Sequence, residues 1–360
     1  MALTPQRFFV TNLNDSGQGS LRAAVIAANT VGNVVPPIEV IVQKTGKLVL
    51  STDPLTVTSN QHWFVSLNKH QQSKCGKCKR HKSDKKKKCG LTITTSSVQN
   101  LVQVAAPCEY LKLEHFKFTG GQSADNGGAI SVGTTPHELI LNKCCVVKNS
   151  ALASPNTVGG GIYSEGNVTL IKSSVIANVS SSQGGGIFAT GSVAAYQSKI
   201  DCNQVLVAMS SSGGAGVYAD DGNVIVSNHS SVSKNKAPTT AGSGGGIIVN
   251  QGDLHVEQCS RVNHNKSYNS AGVQMGLGSI YVTDDSEVSF NESFNSNTGA
   301  AGGGGISIIF GSVLVSKSKI SHNKTQGMYS GGIVSVSLVI VIFFFVFVIV
   351  FLWSRWSAMF

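Results

Sequence analysis

The chain has 360 residues, of which 40 are glycine and only 13% are charged, a composition suited to many turns around a long internal core. Its formal net charge is +10, but Lys74, Lys77, Lys79, Arg80, Lys82 and Lys85 to Lys88 supply nine positive charges against Asp84 alone. The remainder is close to neutral, which excludes a chain-wide basic surface and leaves one local basic segment.

Residues 1–70 form the first unit. Met1 to Arg7 leads into Phe8-Phe9-Val10 and stops, well short of the roughly seven to fifteen apolar residues of a signal-peptide core, so no signal peptide is expected. The run from Phe9 through Thr11-Asn12-Leu13-Asn14-Asp15-Ser16-Gly17-Gln18-Gly19-Ser20 enters an Ala-rich stretch, Leu21 to Asn29, that predicts a short helix. Ile38-Glu39-Val40-Ile41-Val42 and Gly46-Lys47-Leu48-Val49-Leu50 then alternate as strands do.

Residues 71–90 interrupt this pattern with the basic segment. Its ordinary reading is a solvated excursion. Its sharper reading is contact with an anionic partner, lipid, polysaccharide or nucleic acid, through counterion release. Cys75, Cys78, His81 and Cys89 supply four ligands that could surround zinc tetrahedrally. A local disulfide or free thiols at the loop base is the other reading. Cys108, Cys144, Cys145, Cys202 and Cys259 read as small buried hydrophobes.

Residues 91–332 carry a repeat. Seven units open on glycines and an aliphatic residue, as in Gly160-Gly161-Ile162, Gly185-Gly186-Ile187 and Gly245-Gly246-Ile247. They close on Asn149, Asn178, Asn203, Asn235, Asn265, Asn291 and Asn323, each with Val or Ile three residues earlier. Between them lie alternating pairs such as Val168/Leu170, Val224/Val226 and Ile280/Val282, usually after a turn glycine. Openings 25 to 33 residues apart leave room for three short strands per unit. A unit of this kind buries its apolar face only by stacking, so the repeat predicts an all-β solenoid, a parallel β-helix with the asparagines in a ladder at one corner. Leucine-rich repeats, propellers and calcium-binding β-rolls require signatures that are absent.

The amino-terminal run, the strands after it, Gly90-Leu91-Thr92-Ile93 and the glycine/asparagine units together resemble the polymorphic-membrane-protein-like, or CSLREA-type, β-helix proteins over nearly all of the chain to residue 333. The resemblance implies a capped, right-handed, single-stranded parallel β-helix displayed at a surface, often in adhesion. No carboxy-terminal autotransporter barrel is expected, a departure from that family.

An eighth opening, Gly331-Gly332-Ile333, passes into twenty uncharged residues, Ile333 to Leu352. As a helix this run would span about 30 Å, the thickness of a bilayer core. Residues 333–352 are therefore expected to form a transmembrane helix, and 353–360 a short tail with Trp353, Arg355 and Trp356 at the interface. The competing reading is an unusually apolar final coil. On the first reading the protein is a single-pass membrane protein at a cell surface or virion.

Seven Asn-x-Ser/Thr sequons occur, at Asn14, Asn167, Asn178, Asn228, Asn265, Asn291 and Asn323; they also arise readily in a chain so rich in Asn and Ser. Asp220-Asp221 and Asp284-Asp285 are the acid pairs that a polysaccharide-cleaving β-helix would need. They lie at different phases of their repeats, and adjacent strand residues point to opposite faces. His229, His255, His264 and His322 read as surface positions near coil corners. No catalytic residue and no cofactor are expected, zinc apart. Two functions follow: an adhesin-like, membrane-anchored surface with a glycan or protein ligand on the β-helix, or a structural component associated with a virion or capsid.

Overall fold

The computed structural model of the chain describes residues 4–31, 37–58, 62–68, 90–105, 108–133, 138–207, 213–238, 242–294, 302–326, 331–335 and 341–344. The period-two alternation becomes a parallel β-solenoid whose coils pass along a broad sheet A, turn into sheet B and return through a narrow sheet C. One coil has strands Ile162–Ser164 and Asn167–Ile171 on sheet A, Ser174–Ile176 on B and Val179–Ser180 on C. Its neighbour continues in register, with Ile162 beside Ile187, Leu170 beside Ala195 and Val175 beside Ile200. Sheet B holds ten strands, one from each of ten coils.

The repeat thus holds four short strands rather than the expected three: two on sheet A, split by the turn glycine in most coils, one on B and a two-residue one on C. In two later coils the split closes, and sheet A runs unbroken as Val273–Val282 and Ile306–Ser316. Gly278 and Gly311 lie within those strands at φ of 143° and 145°, where only a residue without Cβ is unstrained.

The expected inward positions are the core. Val168, Leu170 and Val175 in one coil, and Val224, Val226 and Val232 two coils on, are all about 0–1% exposed. Each such side chain contributes roughly 1.5–3 kcal/mol when fully buried. Outward neighbours such as Thr169 and Ile225 keep part of their surface in solvent.

The helix Leu21–Asn29 closes the amino-terminal end. Ser20 caps it by accepting a bond from Ala23 N, and Leu21, Ala24, Val25 and Ala28 turn one face onto the first coil. Asp15 locks the preceding turn. Its carboxylate accepts from Arg22 Nη2 at 2.7 Å and from Ser51 N at 2.8 Å, while Arg22 also donates to the carbonyls of Asp53 and Pro54.

The basic segment does not disturb the stack. The strand His62–Leu67 ends on sheet A and Leu91–Thr95 begins on sheet B, pairing with Gly46–Leu50 as if nothing lay between. In the next coil the same corner between A and B is made by His115 alone.

The transmembrane helix expected over residues 333–352 is not seen among the described residues of that run. Where the run 333–352 is described, it is strand. Ile333–Ser335 and Val341–Phe344 pair in parallel with Ile306–Ser316. The reason is that Val, Ile and Phe are strand formers, and the preceding coil offers an open row of backbone donors and acceptors. Among the described residues no helix is long and apolar enough to cross a membrane.

Candidate functional site

The polar residues that recur in every repeat come together in ladders along the solenoid. All seven closing asparagines stack at the corner between B and C, and each interior carboxamide is fully used. Asn235 Oδ1 accepts from Asn203 N at 2.9 Å and Asn203 Nδ2 at 3.0 Å. Its Nδ2 donates to Ile200 O at 2.9 Å and Asn265 Oδ1 at 3.0 Å. For the six asparagines after Asn149 the carbonyl acceptor is that of the aliphatic residue three before the asparagine in the preceding coil, which explains the fixed spacing. The residue just before each asparagine is left-handed, from Lys148 at φ 57° to His322 at φ 55°. That conformation costs on the order of 1 kcal/mol for a residue with Cβ and swings the amide inward. The opening glycines complete the corner: a Cβ on Gly186 would meet the Gly216 carbonyl oxygen at 2.6 Å and the Asn203 amide at 2.9 Å.

A second ladder escaped the sequence reading. Five residues before each asparagine stands Cys144, Ser173, Ser198, Ser230, Ser260, Ser286 or Ser318, forming a column at the corner between A and B. Each hydroxyl accepts the backbone N–H of the coil above, as Ser230 Oγ does from Ser198 N at 2.9 Å. A third column follows the turn glycines on sheet A, where Asn167, Asn223 and Asp253 accept from Ser192 N, Asp253 N and Ser279 N. Four of the seven sequons, at Asn178, Asn265, Asn291 and Asn323, are ladder residues whose amide nitrogens are already committed.

The candidate catalytic and metal-binding residues are not assembled. Asp220 is bonded to Asn250 Nδ2 at 3.2 Å and Asp221 is exposed beside it, whereas Asp284 and Asp285 sit two coils away on the A/B corner at positive φ. His229, His264 and His322 also occupy positive-φ corners, and His255 lies on the outside of sheet A, stacked on Tyr281 at 4.6 Å. Cys75, Cys78, His81 and Cys89 lie outside the described residues. Among the described residues no group of three or more His, Cys, Asp or Glu could hold a metal.

The scattered cysteines need a partial correction. Cys108 and Cys144 are buried thiols, pushed by burial up to about 11 and about 12; neither is a ready nucleophile. Cys202 and Cys259, however, are partly or fully exposed. Cys145 is buried as expected but disulfide-bonded, in the outer register of sheet B between Lys117 and Ser174.

What remains outward is sorted by charge. Among the described residues from 91 onward, the carboxylates on or beside sheet A are Glu109, Glu114, Glu138 and Glu165, then Asp220, Asp221, Asp253 and Glu257, against the single cation Lys112. Burial works against ionisation of Glu114, but bonds from Lys112 and Asn142 outweigh it and hold the carboxyl below its usual range. Sheet B and its two corners carry the reverse balance, with one or more lysines in each of five successive coils. The near-neutral sum of these coils hides two oppositely charged faces.

Sheet A also carries an outward file of rings. Tyr163, Phe188 and Tyr218 occupy one register column with centroids 5.7 and 5.2 Å apart and planes within 15°. Their faces cover one another, so their edges meet the solvent and no ring is free to lie flat on a ligand. Burial first, and then the bonded Glu165 carboxylate, raise the Tyr163 phenol to about 12.

Comparison with protein-family models, curated proteins and solved structures gives no match for this chain. The geometry therefore carries the functional reading.

Proposed function

We propose that the chain is a non-catalytic surface-structural protein, a rigid solenoid that holds long flat faces out to a partner as an adhesin does. One observation carries this reading. The polar side chains fixed by the repeat are consumed in stacking, while those that vary from coil to coil lie outward and are segregated by charge. A catalytic solenoid would need acids converging on one groove, and the two acid pairs diverge. A right-handed coil belongs to the same reading, since crossover connections between parallel strands take that hand almost always.

Attachment to a membrane through residues 333–352 is the second part of the proposal. The uncharged length of this run supports it, because in lipid a single segment satisfies its backbone only as a helix, whatever it pairs with in water. Protease shaving of intact cells or particles tests the display reading. Solenoid peptides should be released from the intact surface; release only after disruption would favour an internal, virion-associated component. Carbonate extraction tests the attachment, with full-length protein expected in the membrane pellet and its appearance in the soluble fraction removing that part.

A further inference from the structure

We infer that sheet B and its corners form a binding strip for a linear acidic polysaccharide, sulfated or uronate, lying along the solenoid axis. The inference rests on the display reading and names the face and the ligand class. Lys117 and Lys199 project from sheet B, Lys143 and Lys172 from the A/B corner, and Lys148 and Lys234 from the B/C corner. They come from five successive coils, and all but the half-buried Lys117 are exposed. With coils about 4.8 Å apart, the six cations run along roughly 19 Å of sheet B and its two corners, around the disulfide-bonded Cys145.

Among the described residues the only carboxylate on this face over those coils is Asp201, which is 3% exposed and accepts a bond from Ser233 Oγ. It therefore does not neutralise the strip at its surface. Beyond Lys234 the pattern changes: Arg261 and Glu287 pair at 3.9 Å, Lys266 and Glu292 at 2.7 Å, and Asp284 and Asp285 occupy the corner. The strip thus has an end. The acidic sheet A repels the same ligand, so binding is confined to one side.

The ligand class follows from what lies between the cations. Ser231, half-buried in the register column of Lys117 and Lys199, brings a hydroxyl among the cations, which suits the hydroxyl and anionic groups of a sugar chain. Single-stranded nucleic acid would need aromatic platforms among the lysines. That column offers none in these coils: His229 stands at the A/B corner of the last of them, and His264, Phe290 and His322 are stacked on one another in later coils.

The test is binding of full-length protein to immobilised heparin over a salt series. Three proteins are compared: the parent, a K143Q/K172Q/K199Q/K234Q variant, and a K85Q/K86Q/K87Q/K88Q variant of the basic segment. The strip variant should bind about tenfold weaker or worse, with a shallower salt slope, while the segment variant retains most of the binding. Thermal melts should be unchanged, since all eight substitutions leave the ladders and core intact. Equal binding by parent and strip variant overturns the inference, as does competition by duplex DNA at matched charge as effective as competition by heparin. Binding to a protein or neutral glycan without heparin binding would remove the strip but leave the display reading. Shortening of the heparin chains would remove the display reading while leaving the strip.

Discussion

Replacing Asn235 with alanine tests the ladder where it is most enclosed. Asn235 is fully buried and makes four side-chain bonds. The substitution leaves Asn203 N and Asn203 Nδ2 without that acceptor, and removes a donor from Ile200 O and from Asn265 Oδ1. Asn265 Oδ1 still accepts from Asn235 N at 3.0 Å, so the heavy loss falls on the two donors. At about 1–3 kcal/mol for each stranded buried group, the cost should be roughly 3–6 kcal/mol, among the largest expected of a single substitution. Urea titration followed by far-ultraviolet circular dichroism reads it, with exposed Gln251→Ala as control. Asn235→Asp gives a second signature, because its carboxylate would face the Ile200 carbonyl and the Asn265 oxygen. Burial and that repulsion raise the folded-state pKa, so the penalty is full above that pKa and shrinks as pH falls through it. A cost for Asn235→Ala no larger than that for Gln251→Ala would refute the ladder as a source of stability.

Other substitutions separate inward from outward phase. Val256→Asp should destabilise by several kcal/mol by burying an unpaired carboxylate, whereas His255→Ala, one residue away and outward, should cost about 1 kcal/mol through the lost Tyr281 stack; thermal melts in the reverse order would show that the phase is wrong. At the amino-terminal cap, burial would raise the Asp15 pKa, but bonds from Ser51 and Arg22 outweigh it and hold the carboxyl below its usual 3.8. Its contribution is therefore present above the ordinary carboxylate range and lost as pH falls through the depressed folded value, so Asp15→Asn should flatten the acid limb of the stability profile. Expressed through a secretory pathway, the folded protein should carry glycans at Asn167 or Asn228 and none at Asn178, Asn265 or Asn291, and peptide mapping that finds the buried sites occupied would exclude the ladder.

Much of this fold was legible because stacking imposes identical demands on every coil. The closing asparagines, the aliphatic residue three before each and the opening glycines recur for one reason: amide, carbonyl and missing Cβ meet at the same corner. The serine column has an equally regular signal, five residues before each asparagine, but serine is so common here that the spacing did not stand out. The fourth strand per coil was hidden because Val179–Ser180 and its counterparts have two residues, too few to show a period. Charge segregation was invisible for another reason. Lys172 and Glu165 are seven residues apart in sequence, yet a strand and a corner place them on different faces, and only the register reveals it. The apolar run after Gly332 satisfies both a bilayer and a final coil, and its pairing with Ile306–Ser316 depends on a neighbour that composition does not describe.

The stacking register itself is open to one direct measurement. Lys117 and Lys319 stand in one outward column of sheet B, seven coils apart through Cys145, Ser174, Lys199, Ser231, Arg261 and Glu287. Spin labels on unnatural side chains at these two positions should give a narrow dipolar distance near 34 Å, and the pair at Lys199 and Lys319, four coils apart, one near 19 Å, at about 4.8 Å per coil. Distances in that seven-to-four ratio confirm an axial stack with sheet B as one continuous face. Broad distributions, or two distances that do not scale with the number of coils, would contradict the solenoid and every functional surface built on it.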